Sequence, residues 1–255
     1  MQIRFMGTGA ADFSELLETE YKDILSPKAR RSSSMLINDT VLVDCGPHVL
    51  DSFRIQGLDP SKVTDLLVTH LHSDHYNKSN VAKLAAQCKQ PLRMWYRAGA
   101  TPTPMENVVF CPVEPGETFE TEHMKCVALA ANHKSFPLHY DIEIDGARLF
   151  YGTDGAWLLN DTFYAMMKRN YHCMVLDATV GDYNGDYRLG EHNSIPMIRL
   201  MAASFRSQNV VAEDGVIILT HLARTLHKPH SEIAPKLAEE GYTVAYDGLC
   251  MNING

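Results

Sequence analysis

The chain has 255 residues, 45% hydrophobic and 21% charged, with a formal charge of −8. This is enough material for one sizeable core, and the acidity excludes the clustered Lys and Arg that non-specific nucleic-acid binding needs. The six cysteines are scattered without a C-x-x-C pair, which excludes a cysteine-built zinc knot or disulfide framework and suits a reducing cytosol.

No apolar run approaches the ~18 residues of a membrane span. The opening Met1–Gly7 is too quickly polar for a signal peptide. We therefore expect a cytoplasmic protein without a membrane partner, folded as a single domain over residues 1–255.

Ile3–Met6 reads as a strand, and Gly7-Thr8-Gly9 as a small-residue turn where backbone can approach closely. Residues 12–32 are polar, with Arg30 and Arg31 near their end. They read either as a solvated segment or as a lid over substrate. If the substrate is a phosphate ester, Arg30 and Arg31 are the basic groups placed to hold it. Met35–Ile37 and Val41–Val43 form a hairpin, and Asp44 ends its second strand. Pro47 and Gly57 bracket a helix over about 48–56.

Leu66–Val68 predicts a buried strand, and the chain then runs into His70-Leu71-His72-Ser73-Asp74-His75. A helix follows over Val81–Cys88. Strands are expected at Leu92–Tyr96, Val108–Phe110, Thr118–Glu120 and Lys125–Ala130, the last leading to His133. Asp145-Gly146 marks a hairpin between Tyr140–Ile144 and Ala147–Tyr151, which ends in Gly152-Thr153-Asp154-Gly155. A helix over about 160–169 precedes the strand Met174–Leu176. Helix 195–205, with Pro196 in its first turn, precedes the strand Val216–Leu219, which runs into Thr220-His221. A last helix over about 230–240 and a strand near Tyr242–Tyr246 complete the pass. The two halves share an order, strands first and then helix–strand units. That order predicts an α/β chain with two sheets packed face to face and helices outside, as one domain.

His70, His72, Asp74, His75, His133, Asp154 and His221 all fall just past predicted strands, where α/β folds build their sites. A lone histidine is more often structural than a ligand; the conjunction is what points to metal. Donors of nitrogen and oxygen type, with no Cys among them, suit two divalent ions, Zn²⁺ first and Mn²⁺ second. By reach, His70, His72 and His133 form one set, and Asp74, His75 and His221 the other. Asp154 has two oxygens and can join them. Two such ions lie ~3.5–4 Å apart and lower the pKa of a shared water toward ~7, giving a nucleophile at neutral pH. Asp44 is expected to hydrogen-bond a ligating histidine or the loop backbone.

His70-Leu71-His72-Ser73-Asp74-His75 resembles the H-x-H-x-D-H motif of the metallo-β-lactamase superfamily, and His133, Asp154 and His221 resemble its later motifs in order. The resemblance implies the αββα fold with metals at the edge between the sheets. It also implies Asp74 as a second-metal ligand of a two-metal hydrolase. Leu176-Asp177-Ala178-Thr179 followed by His192-Asn193-Ser194 looks like the ribonuclease Z and phosphoribosyl cyclic phosphodiesterase group. Carried over, His192 would bind the scissile phosphate or protonate the leaving oxygen. His133 and Asp154 are joined by little more than one hairpin. That leaves no room for the tRNA-gripping arm of ribonuclease Z, so tRNA is not expected as a partner. Nor is there a Cys before Cys45 for an N-terminal structural zinc.

These readings converge on a dinuclear metal-dependent hydrolase acting on a small phosphodiester, cyclic ones included. Asp74 and His192 are the expected catalytic residues, and Arg30, Arg31, His192 and Lys228 the substrate contacts. A homodimer is compatible with this reading. One alternative is an esterase, thioesterase or lactonase, since an activated water also attacks carbonyls. A second is a non-catalytic metal-binding sensor.

Overall fold

The computed structural model describes residues 1–12, 23, 25–135, 137–167 and 169–255. Most of the segment expected as lid or solvated loop, residues 12–32, lies outside the described residues.

Apolar runs without alternation make strands that are buried on both faces. Two such runs are β2 (Ser34–Ile37) and β3 (Val41–Val43), every residue of which is buried. They pair as the expected hairpin, Met35 opposite Val43. On one side β2 pairs with β1 (Gln2–Gly7), which pairs in turn with β14 (Cys250–Asn252). On the other side β3 begins a parallel run through β4 (Asp65–Leu67), β5 (Leu92–Arg97) and β6 (Val108–Val113).

The second sheet repeats the plan. Strands β7 (Thr118–Glu120), β8 (Lys125–Ala130), β9 (Leu138–Ile144) and β10 (Ala147–Gly152) are antiparallel. From β10 the sheet turns parallel through β11 (Tyr171–Asp177), β12 (Val211–Thr220) and β13 (Tyr242–Val244). Among the described residues each sheet has seven strands.

Alternation along each strand divides the core into three slabs. Met35, Ile37, Val41, Val43 and Leu67 face inward and meet Leu138, Tyr140, Leu149, Tyr151 and Val175 of the other sheet. Leu36, Leu42 and Leu66 face outward against α1 (Val49–Ile55) and α2 (Lys78–Ala85), through Phe53, Val81 and Leu84. Met174, Leu176, Ile217 and Leu219 face outward against α3 (Asn160–Met166), α4 (Ile195–Ser207) and α5 (His230–Glu239), through Met166, Phe205 and Leu237. The layers are helix, sheet, sheet, helix, as the sequence order predicts.

The differences lie at element ends. Helix α1 begins at Val49, so Pro47 precedes the helix and does not sit in its first turn. Helix α2 begins three residues earlier than its apolar period, because the Asn77 side chain caps it by accepting the Asn80 N–H. Helix α3 stops at Met166, where Met167 turns extended. Strand β14 was not expected; three residues carry no readable period, and its partner lies at the other end of the sequence.

Parallel strands put their carboxyl ends on one edge, and β8, antiparallel to β9, points the same way as β10. Asp44 after β3, His70 after β4, His133 after β8, Asp154 after β10, Asp177 ending β11 and His221 after β12 therefore share one edge of the sandwich. The sheets are tied together there: Tyr140 donates its hydroxyl to the Val68 carbonyl at 2.7 Å, and the Leu138 N–H donates to the Thr69 carbonyl at 2.8 Å.

Candidate metal centre

At this edge the motif histidines close on one another. After β4 the chain makes one helical turn, with the Tyr76 N–H donating to the His72 carbonyl at 2.8 Å. His70 and His72 point the same way before that turn, as alternation requires, with His70 Nε2 2.8 Å from His72 Nδ1. His133 Nε2 stands 3.4 Å from the same His72 nitrogen. On the other side His75 Nε2 lies 3.1 Å from His221 Nε2 and 3.3 Å from Asp74 Oδ2. Asp154 lies between the groups, its Oδ2 2.9 Å from His70 Nε2 and 3.2 Å from His75 Nε2. Four overlapping donor sets result, each with donor atoms within 4.8 Å of one another: His70, His72, His133 and Asp154; Asp74, His75, Asp154 and His221; Asp154, Asp177, His192 and His221; and His133, Glu191 and His192. The first two are the groupings expected from reach along the chain.

The far nitrogen of each histidine is held by a protein group. Asp44 accepts from His75 Nδ1 at 2.7 Å, and its carboxylate also takes the Thr69 N–H at 2.8 Å. This is the role expected of Asp44. Thr69 Oγ1 stands 3.1 Å from His70 Nδ1, and the Glu191 carbonyl accepts from His133 Nδ1 at 3.1 Å. Ser135 Oγ is 3.1 Å from His72 Nε2. Thr179 Oγ1 lies 2.7 Å from His221 Nδ1 while donating its own hydrogen to Asp177. Fixing the proton on the outer nitrogen leaves the inner nitrogen with its lone pair.

That convergence tests whether cations fit. Bare lone pairs and carboxylate oxygens facing each other at about 3 Å repel unless positive charge sits among them. Burial holds His70, His72 and His133 below the usual imidazole value, so they are neutral donors. Burial opposes charge on His75 and His221 too, but Asp74 and Asp44 raise the former well above its usual value, and Asp154 and Asp177 raise the latter to about 9. Burial alone would raise Asp74 and Asp154, yet the facing histidines hold both well below the carboxylate range. Protons meet this demand with one charge each; a divalent cation meets it with two. Asp154 Oδ1 is buried and makes no hydrogen bond in good geometry, although His192 Nδ1 is 3.0 Å away. The residues fit divalent metal.

His192 belongs to the cluster. Its Nδ1 lies 3.1 Å from Asp177 Oδ2, and Asp177 Oδ1 takes the Asn193 N–H at 3.0 Å. A cavity of about 220 Å³ opens over the centre, lined by His72, Asp74, His133, Asp154, His192 and His221 and rimmed by Asp12, Lys134, Arg188 and Glu191.

Arg30, Arg31 and Lys228 are not brought to this cavity, contrary to expectation. The Arg30 and Arg31 side chains turn into the protein and are 1% exposed. Arg30 donates to the Lys228 and Ala223 carbonyls, and Arg31 pairs with buried Asp247 at 3.0 Å. They pack the segment 30–32 against Gly7 and Gly9, where an added Cβ would lie 2.1 Å from the Ser32 carbonyl oxygen and 2.3 Å from that of Arg30. Backbone, not ligand, is what the glycine turn admits. Lys228 is exposed beside Glu232, in a different groove. Among the described residues, the basic groups at the site, histidines aside, are Lys134 and Arg188. The sequence reading missed both: Lys134 directly follows a ligand, whereas nothing in the Gly- and Asp-rich loop marks Arg188.

The family model described as the beta-lactamase superfamily domain matches residues 39–205. The chain belongs to this family. Over 81 residues it is 36% identical to the ribonuclease Z of Streptococcus suis, a match covering 29% of this chain and 22% of that protein. The matched stretch is thus a minor part of that relative. The fold is similar to human tRNase Z, short form, with a TM-score of 0.70, 18% identity and 100% of each chain covered. It is also similar to a diphosphatase of the PhnP family, with a TM-score of 0.73, 17% identity, and 98% and 96% covered. Family, fold and donor clusters together define a domain of the beta-lactamase superfamily with a candidate divalent-metal site. Among the described residues no helix is long and apolar enough to cross a membrane.

Proposed function

We propose that the chain works as one dinuclear phosphodiesterase domain acting on a small phosphodiester. The observation carrying this is the pair of donor sets joined by Asp154, each histidine steered by a fixed partner. His70, His72 and His133 would hold one cation, Asp74, His75 and His221 the other, with Asp154 shared. Zn²⁺ suits this imidazole and carboxylate set best. When bound, two such cations activate water and neutralise charge developing on a phosphoryl group.

The chain's own residues supply the rest. Asp177 accepts from His192 Nδ1, which leaves Nε2 as the nitrogen that exchanges a proton with substrate. Burial opposes charge on His192, but Asp177 and Asp154 beside it raise its pKa to about 10. Protonated at neutral pH, it is set to give its proton to the leaving oxygen as general acid. The same Asp177 oxygen lies 3.3 Å from His221 Nδ1, so one carboxylate orients both the proton donor and a ligand.

Lys134 and Arg188 bring positive charge to the rim beside Asp12 and Glu191, and it is these two cations that favour an anionic substrate over an acyl ester. The charge of −8 and the single β9–β10 hairpin between His133 and Asp154 speak for a small molecule over tRNA. Metal analysis joined to a substrate panel tests the reading. We expect two equivalents of metal and turnover of bis-p-nitrophenyl phosphate or a cyclic sugar phosphate. Esterase activity without phosphodiesterase activity would refute it.

A further inference from the structure

We propose that Arg188 is the residue that grips the anionic substrate and gives the cavity its preference for phosphate over neutral carbonyl esters. For its effect on turnover this rests on the phosphodiesterase reading; for anion binding it stands alone.

Arg188 lies in the 3-10 turn Tyr187–Gly190 and lines the cavity over the metal centre. Its carbonyl accepts the His192 N–H at 2.8 Å, so Arg188 sits one turn before the proposed proton donor. Residues four apart on a turn share a face. The guanidinium is held before any ligand arrives. Nη1 donates to both Asp186 oxygens at 3.1 and 2.9 Å, and the guanidinium carbon lies 4.6 Å from the centre of the Tyr187 ring. Tyr187 is itself 86% exposed, so it packs on little besides Arg188. The turn is anchored as well: Asp186 caps it by accepting the Arg188 N–H, and Asp182 at the loop's base pairs with Arg199 at 2.9 Å.

Asp186 occupies only Nη1. Nε and Nη2, the other edge of the guanidinium, make no hydrogen bond among the described residues. That edge carries two parallel N–H groups, the fork that matches two oxygens of a phosphate. Histidines aside, among the described residues the only other cation in the lining is Lys134, whose ammonium is 3.0 Å from Glu191 and which lacks the fork. A neutral ester offers one carbonyl oxygen and no charge, so it gains little from Arg188. A phosphodiester offers two non-bridging oxygens sharing a negative charge.

The test uses the metal-loaded full chain, with Arg188→Gln and Arg188→Lys beside Tyr187→Ala. Inorganic phosphate binding is measured by calorimetry, and turnover of bis-p-nitrophenyl phosphate and of p-nitrophenyl acetate is followed separately. Charge-assisted bonds of this kind predict about a ten- to hundredfold loss of phosphate affinity in Arg188→Gln. Arg188→Lys recovers part of it, Tyr187→Ala loses less, and metal content is unchanged in all three. Phosphodiester KM rises in Arg188→Gln while acetate turnover stays within twofold of the parent. Unchanged phosphate affinity in Arg188→Gln, or equal losses on both esters, overturns the proposal. If the parent binds phosphate through Arg188 but hydrolyses no phosphodiester, the reaction assignment fails and the anion site stands.

Discussion

At the scale of single residues, position along the chain and direction of the side chain carry different information. His70, His72, Asp74 and His75 were legible because a strand followed by a turn fixes where their side chains point. Arg30 and Arg31 lie near the same edge, but without a regular element their direction could not be read, and both turn inward. Replacing a proposed ligand and replacing the proposed proton donor should therefore separate. His72→Ala is expected to lose metal and activity together. His192→Ala is expected to keep its metal, seen by atomic absorption, while turnover falls ~10²–10⁴-fold. If turnover of His192→Ala is unchanged, its role is wrong. Asp247 gives a pH signature away from the centre. Burial pushes its carboxyl from 3.8 up to about 7, against the pull of the Arg31 N–H and guanidinium and the Thr8 hydroxyl. A group with a raised folded pKa contributes stability that is full below its unfolded value and is lost as pH rises through the folded one. The Asp247 contribution should therefore fall from about pH 4 to about pH 7, so that the urea midpoint of Asp247→Asn, taken relative to the parent, rises across that window. An equal slope in both proteins would reject it.

At the scale of elements, the strands were readable from apolar runs, and the helices from their period and capping residues. The ends were not, because caps such as Asn77 act outside the period and β14 depends on a partner far away in sequence. The turns between elements are tight where they frame the centre. An added Cβ on Gly46 would stand 2.0 Å from the Asp74 carbonyl oxygen, which is backbone and cannot rotate away. The Cys45 N–H donates to the His75 carbonyl at 2.8 Å in the same contact, so the loop after β3 clamps the motif turn. Gly46→Ala is expected to lower the melting temperature by roughly 3–10 °C. It should also reduce metal content, since Asp74 and His75 move with the clamped turn. A variant with full metal and parent-like melting would show that the clamp yields.

At the scale of the whole molecule, each sheet contributes half of the two donor sets that include the motif histidines. The first set takes His70 and His72 from the loop after β4, and His133 and Asp154 from strand ends of the other sheet. The second takes Asp74 and His75 from the first sheet, and Asp154 and His221 from the second. The division was foreseeable from the repeated order of the two halves; the rim, built from the loop before α4, was not, because Gly181 to Gly190 has no period. A ligand bound only by the folded state stabilises it by mass action. Chelation is therefore expected to lower the melting temperature, and readdition of metal to restore it, in proportion to the logarithm of free metal. A melting temperature indifferent to chelator would mean that cations do not bridge the sheets.

Three residues at the strand ends hold left-handed backbone: Asp44 at φ 60°, Asp154 at φ 54° and His221 at φ 57°. Each costs about 1–3 kcal/mol for a residue other than glycine, and Asp154 and His221 also bury charge. The protein thus carries left-handed backbone at three residues of the candidate centre, as it does at several of its turns. Glycine at residue 154 or residue 221 would relax the backbone and, in metal-free protein, raise the melting point of a catalytically dead chain. Among natural variants, then, a copy that is sturdier than its relatives and has lost one of these side chains is to be read as a retired enzyme, its fold outlasting its reaction.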